Sequence, residues 1–112
     1  MRLGVVEYFD SAHYLPQHDS CGRMHGHTYK VEVVIEGEKK EDKMIMDFHD
    51  VKMKVRTVIA ELEQRSINEI LEYPSAENIT EYIFRKLKKE FDYPLRVRVW
   101  EGKGKWIEIS EY

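Results

Sequence analysis

Val5, Glu7, Phe9, Ser11 and His13 share one parity across residues 2–13. That is the period-two signature of a strand with one face turned inward. Residues 14–24 carry Pro, Gly and Asp and read as a loop. A second strand is expected over about 25–36, with His25, His27, Tyr29, Val31, Val33 and Ile35 on one face and Lys30, Glu32 and Glu36 on the other. Gly37 to Lys43 is a polar turn, and Met44-Ile45-Met46 reads as a short extended lead-in. Asp47 is placed to cap a helix running to about Leu62, with Phe48, Val51, Val55, Val58, Ile59 and Leu62 as its apolar stripe. After Tyr73-Pro74, Ser75 caps a second helix with the stripe Ile79, Ile83, Leu87 and Phe91, and Lys86, Lys88 and Lys89 suit its negative end. Pro94 stops it. Leu95, Val97 and Val99 alternate with Arg96, Arg98 and Trp100 in a third strand, Gly102-Lys103-Gly104 makes a hairpin loop, and 105–111 completes a fourth. The order ββααββ predicts an α+β layer structure, an antiparallel sheet with two helices on one face.

A chain of 112 residues without repeat, linker or low-complexity tract is expected to be one domain spanning 1–112. Its 42% hydrophobic and 35% charged content is that of a globular chain. Eighteen basic residues against twenty-one acidic ones, net charge −3, argue against a broad nucleic-acid footprint but leave room for a local basic pocket. No apolar run reaches membrane-spanning length and the first residues lack a signal-peptide core, so a cytoplasmic protein with no membrane partner is expected. One cysteine rules out an intramolecular disulfide.

The candidate chemistry concentrates between Asp10 and Tyr29, which hold His13, His18, His25 and His27 and the sole cysteine, Cys21. His25 and His27 leave an extended strand from the same face, and His13 reaches that face if the two strands are neighbours. Three imidazoles are a common protein share of a catalytic zinc site with its fourth position open. Cys21 is then either a fourth ligand closing a structural site, a thiol acting beside the open position, or a small buried residue. Glu101 stands at the junction of the third strand and its hairpin. Glu77 fits the N-terminus of the second helix and His49 the exposed first turn of the other, while the Trp and most Tyr residues read as core or subunit interface. A cupin-like zinc barrel also uses His-x-His, but two helices argue against an all-strand fold.

Ser11-Ala12-His13, Cys21-x3-His25-Gly26-His27, Met46-Asp47-Phe48, Asn68, Pro74-Ser75-x-Glu77-Asn78 and the late Glu101 occur in this order along nearly the whole chain. The pattern resembles the 6-pyruvoyl-tetrahydropterin synthase family, and within it the 6-carboxytetrahydropterin synthases of the queuosine and archaeosine pathways. The resemblance implies a tunnelling fold, in which ββααββ subunits join sheets edge to edge into a homo-oligomeric barrel, commonly trimers stacked into hexamers with sites between subunits. It further implies Zn2+ on His13, His25 and His27, Cys21 as thiolate base and Glu101 as anchor for the pterin ring. The implied substrate is 7,8-dihydroneopterin triphosphate, giving a 6-carboxy or 6-pyruvoyl product. A carboxylate suits the paired N–H donors of a pterin edge, and zinc with an open position suits the hydroxyls of the side chain.

The chain departs from that family at one place. Where members carry Leu-Asp-His, this chain has Leu62-Glu63-Gln64. Gln64 cannot shuttle a proton. A free thiol, with its pKa of about 8.5, is only a few per cent thiolate at neutral pH, and positioned acid–base help is worth roughly 10²–10⁴ in rate. His18, on the same loop as Cys21, is the candidate stand-in. Two other readings follow from the departure: a zinc- and pterin- or purine-binding protein with little catalysis, and a dihydroneopterin aldolase-like variant, against which the retained Cys21 counts.

Overall fold

The computed structural model describes residues 1–112. Strands β1 (Arg2–His13) and β2 (His25–Glu36) are followed by helix α1 (Phe48–Ile59), a 3₁₀ turn at Ile67–Glu69, helix α2 (Ala76–Lys88) and strands β3 (Leu95–Glu101) and β4 (Trp106–Ser110). One four-stranded sheet runs in the order β1-β2-β3-β4, every neighbour antiparallel. This is the α+β, ββααββ architecture read from the alternation of the sequence.

The register explains why chemistry sits at one end of the sheet. On the helix-covered face the cross-strand rows run Leu3–Ile35–Leu95, Val5–Val33–Val97–Ile109, Glu7–Val31–Val99–Ile107, Phe9–Tyr29–Glu101, Ser11–His27 and His13–His25. One face thus changes from aliphatic to aromatic to imidazole along its length. Both helices bury their stripes on the aliphatic part, where Val51, Val55, Val58, Ile59, Ile79, Ile83 and Leu87 join a core of 22 buried residues. That core removes the apolar stripes from water, the main favourable term in folding, and leaves the polar end of the same face to project beyond it.

The caps are formed as expected. Asp47 accepts from the His49 N–H at 2.7 Å and Ser75 from the Asn78 N–H at 3.1 Å. Three local expectations are corrected. Helix α1 ends at Ile59 and residues 60–63 form turns, although Leu62 stays fully buried. Gln64 takes a left-handed φ of 54° and its N–H donates to Asp10 O at 2.7 Å, which turns the chain back along β1 before another helical turn can form. Phe48 is 63% exposed, on the rim of an open groove that it shares with Arg2, Leu3 and Gly4 at the start of β1. Met44–Met46 bends instead of extending, and Met44 O accepts the Lys40 N–H at 2.9 Å within the turn.

Residues 64–66 lie along the outer edge of β1. Besides the Gln64–Asp10 bond, Ala12 N–H donates to Arg65 O at 3.1 Å, and Ala12 pairs with Ser66 in a parallel bridge. That backbone cover fixes the strand end that carries His13.

Candidate metal centre

His13 and His25 are direct register partners, and His27 faces Ser11 two residues on. The flat pairing of two strands therefore collects three imidazoles from two segments. One ligand atom from each of His13, His25 and His27 lies within 4.8 Å of the others. The ring centroids are 4.6–5.0 Å apart.

Ring orientation comes from the backbone. A carbonyl can only accept, so His13 Nδ1–H donates to Pro74 O at 2.8 Å and His25 Nδ1–H to Arg23 O at 2.7 Å. In the neutral rings this leaves the Nε2 lone pairs free, as in a metal-binding histidine whose other ring N–H is held by a carbonyl. The Pro74 carbonyl is aimed by its own surroundings: Asn78 Nδ2 donates to Tyr73 O at 2.7 Å while Ser75 caps α2. Sequence reasoning placed Pro74-Ser75-x-Glu77-Asn78 only as a supporting motif, and no local signal ties it to a histidine 61 residues away.

His13 is 1% exposed, and the Nε2 atoms of His13 and His27 are both buried without a hydrogen-bond partner. A buried nitrogen left unpaired is costly, so a cation held between these rings fits the site. Burial lowers the pKa of His27, and positive charge on His13, His25 or Lys105 would lower it further, while Glu101 opposes the shift. The net lowering favours the neutral, metal-ready ring.

Glu101 reaches the same place from β3. It is the register partner of Tyr29, and its N–H donates to Lys105 O across the turn at Gly102, where φ is +70°. Its Oε2 lies 3.7 Å from His13 Nε2, and its Oε1 lies 3.6 Å from His27 Nε2 and 3.4 Å from Lys105 Nζ. Beneath this floor Tyr29 is fully buried and stacks on Phe9 at 4.8 Å; its hydroxyl has no partner. Burial, helped by the charge of Glu101, pushes that phenol well above its ordinary pKa and keeps it protonated.

Cys21 stands outside the three-histidine ligand set, so the closed four-ligand site is not formed. It is half-buried on the loop after β1, where Leu15 N–H donates to Cys21 O at 2.7 Å. His18 Nδ1 accepts the Cys21 N–H at 3.0 Å, and Ser20 Oγ lies 3.4 Å from that nitrogen and 3.7 Å from Cys21 Sγ. A lone pair already given to a backbone N–H is poorly placed to receive a proton. In this geometry His18 holds the loop in shape.

A cleft of about 570 Å3 opens beside His27, lined by Asp10, Ser11, Gly26, Thr28, Gln64 and Arg65 among others. Gln64, where the resemblance implies an imidazole, forms part of its wall. Glu63 turns away from it, accepting from Arg56 Nη2 at 2.6 Å. Asn68 is committed to the backbone of Tyr14, accepting its N–H at 2.9 Å and donating to its carbonyl at 3.0 Å.

The model of the family described as 6-pyruvoyl tetrahydropterin synthase matches residues 2–112. A protein of Archaeoglobus fulgidus, provisionally named 6-carboxy-5,6,7,8-tetrahydropterin synthase, is 44% identical over 109 residues, covering 97% of this chain and 95% of its own. The dihydroneopterin monophosphate aldolase of Pyrococcus furiosus is 38% identical over 105 residues, 91% of this chain and 90% of its own. Among solved structures, the 6-pyruvoyl tetrahydropterin synthase of Caenorhabditis elegans superposes with a TM-score of 0.86 at 21% identity, over 98% of this chain and 94% of that one, a likeness of fold.

Proposed function

The chain belongs to the 6-pyruvoyl tetrahydropterin synthase family, and from that membership we propose that it is a zinc-dependent lyase converting 7,8-dihydroneopterin triphosphate and water to 6-carboxytetrahydropterin, acetaldehyde and triphosphate. The observation that carries the reading is the convergence of three imidazole ligand atoms and one carboxylate on a single sheet face. His13, His25 and His27 hold the zinc, which when bound polarises side-chain hydroxyls and acidifies the adjoining C–H bonds. Glu101 accepts the paired N–H donors of the pterin edge and so fixes where the side chain lies. Cys21, on the loop between β1 and β2, takes and returns the proton. The working site is shared between subunits of a homo-oligomeric barrel, trimer or hexamer. An outer edge of β1 whose backbone cover by residues 64–66 is confined to its His13 end supports such edge-to-edge pairing.

A second reading has its own support. Gln64 cannot titrate and Glu63 is tied to Arg56, so the thiol lacks the acid–base pair that a multi-step proton shuffle uses. A retro-aldol cleavage of the side chain needs only one hydroxyl proton removed and one proton returned to carbon. The Pyrococcus furiosus relative carries an aldolase name.

One experiment separates the readings. Zinc-loaded protein and its Cys21→Ala variant are incubated with 7,8-dihydroneopterin triphosphate and, separately, the monophosphate, and products are followed by mass. Acetaldehyde with 6-carboxytetrahydropterin, lost in the variant, is the expected result. A pyruvoyl product keeps the enzyme class and changes the branch. A hydroxymethyl pterin with a glycolaldehyde fragment establishes the aldolase. No product from a zinc-filled oligomer leaves a binding protein.

A further inference from the structure

The loop that carries Cys21 leaves β1 at Tyr14 and meets β2 at His25, and both of its ends rest on the segment that follows α1. At the entry, Asn68 Oδ1 accepts the Tyr14 N–H at 2.9 Å, and Asn68 Nδ2 donates to the Tyr14 carbonyl at 3.0 Å. At the exit, Ser66 Oγ lies 3.9 Å from Met24 Sδ. Asn68 stands in the 3₁₀ turn whose first residue, Ile67, is fully buried, directly after the residues that cover the edge of β1. The turn is tied to the core, and the loop is tied to the turn.

Within the loop, the ties run from that clamp to the cysteine. Next to Tyr14 is Leu15, whose N–H donates to Cys21 O at 2.7 Å and whose carbonyl accepts the His18 N–H at 3.1 Å. His18 Nδ1 in turn accepts the Cys21 N–H at 3.0 Å. Both backbone groups of Cys21 are thus held, one of them by the residue beside the clamp. The closure is tight: a Cβ on Gly22 would stand 2.6 Å from His18 O, nearer than side chains allow. Where Tyr14 is held therefore decides where Cys21 stands.

The residue type at 68 matters. A side-chain amide offers an acceptor and a donor together, as a strand neighbour would. A carboxylate of the same shape would set an oxygen against the Tyr14 carbonyl, and alanine would supply neither group. His13, one residue back, has other supports. Its ring donates to Pro74 O, its backbone is in register with His25, and the Ala12 N–H is taken by Arg65 O.

From these contacts we infer that Asn68 is a positioning residue for the Cys21 thiol, docking the loop on the 3₁₀ turn while the metal ligands keep their own supports. This rests on the reading of Cys21 as the proton-moving group under the proposed function, and adds the residue that sets its place.

The test follows the loop and the chemistry separately. Zinc-loaded wild type, Asn68→Ala and Asn68→Asp are checked for fold by circular dichroism. They are then compared in Cys21 alkylation by iodoacetamide, in zinc affinity by chelator competition, and in kcat and KM with 7,8-dihydroneopterin triphosphate. Both variants are expected to alkylate faster, as the half-buried thiol loosens with its loop. Both should lose about tenfold to a hundredfold in kcat, with KM and zinc affinity unchanged. Wild-type values in the aspartate variant overturn the inference, because shape without the donor then suffices. Unchanged alkylation and kcat in the alanine variant overturn it as well. So does a zinc affinity that falls in step with kcat, since residue 68 would then act through His13. If the variants do not fold, amide hydrogen exchange in the wild type decides: the Tyr14, Leu15 and Cys21 N–H groups are expected to be protected, and free exchange overturns the clamp. Faster alkylation in the variants of a protein that turns over no pterin retires the lyase reading and leaves Asn68 as the anchor of the loop.

Discussion

Glu63 Oε2 lies 2.6 Å from Arg56 Nη2, and Arg56 also donates to the Tyr8 carbonyl and approaches Glu7 at 3.6 Å. The acid that the resemblance sets in the place of an aspartate is thereby made part of the packing between α1 and β1.

Glu63→Gln is accordingly expected to leave turnover unchanged. Both partners are about a third exposed, so the lost pair should cost at most about 1 kcal/mol. Steady-state rates beside urea denaturation would check both statements. A rate falling a hundredfold would return Glu63 to the site.

Gln64→His would place an imidazole on the wall of the cleft beside His27. Histidine is among the residues that tolerate a positive φ, so the 54° backbone angle should survive. Formation of the 6-carboxy product is expected to rise by about tenfold or more if a proton relay is what the chain lacks. An unchanged rate would mean that Cys21 is served in some other way.

His13→Ala removes a metal ligand and leaves the buried Pro74 carbonyl without its donor. Zinc content should fall below one per chain, and the metal-free protein should lose about 1–3 kcal/mol of stability. Metal analysis together with denaturation of the metal-free forms separates the two effects.

His27 titrates below its ordinary value of 6.5. The unfolded chain therefore binds more protons than the folded one as pH falls through 6.5 towards the folded value. The stability this histidine contributes is present above pH 6.5 and declines below it, and zinc affinity should decline over the same interval as protons compete for the ring. Glu101→Gln removes the one charge that raises this pKa, so the His27 resonance should titrate lower still in the metal-free variant. Proton NMR of the imidazoles would show an unchanged His27 titration if the carboxylate were not felt.

Tyr29→Phe deletes a fully buried hydroxyl that has no partner. The change is expected to be neutral or to stabilise by up to about 1 kcal/mol, measured as the denaturation midpoint. A clear destabilisation would reveal a bound water or ligand at that oxygen.

The two long strands, both caps and the three metal-competent histidines were legible in the sequence because each depends on near neighbours along the chain. Period-two alternation assigns His13, Phe9 and Val5 to one face and His25, His27 and Tyr29 to one face, whatever lies beyond. Asp47 and Ser75 cap helices through bonds two or three residues away. The tertiary structure decided what depends on distance between remote segments. It set Pro74 O against His13, tied Glu63 to Arg56, left Cys21 outside the ligand set and turned α1 aside at Ile59 to run residues 64–66 along β1. Spacing along a chain fixes the direction in which a side chain leaves its own element. Which carbonyl, carboxylate or cation it meets is set by packing, and in this protein that second level determines which groups are free to do chemistry.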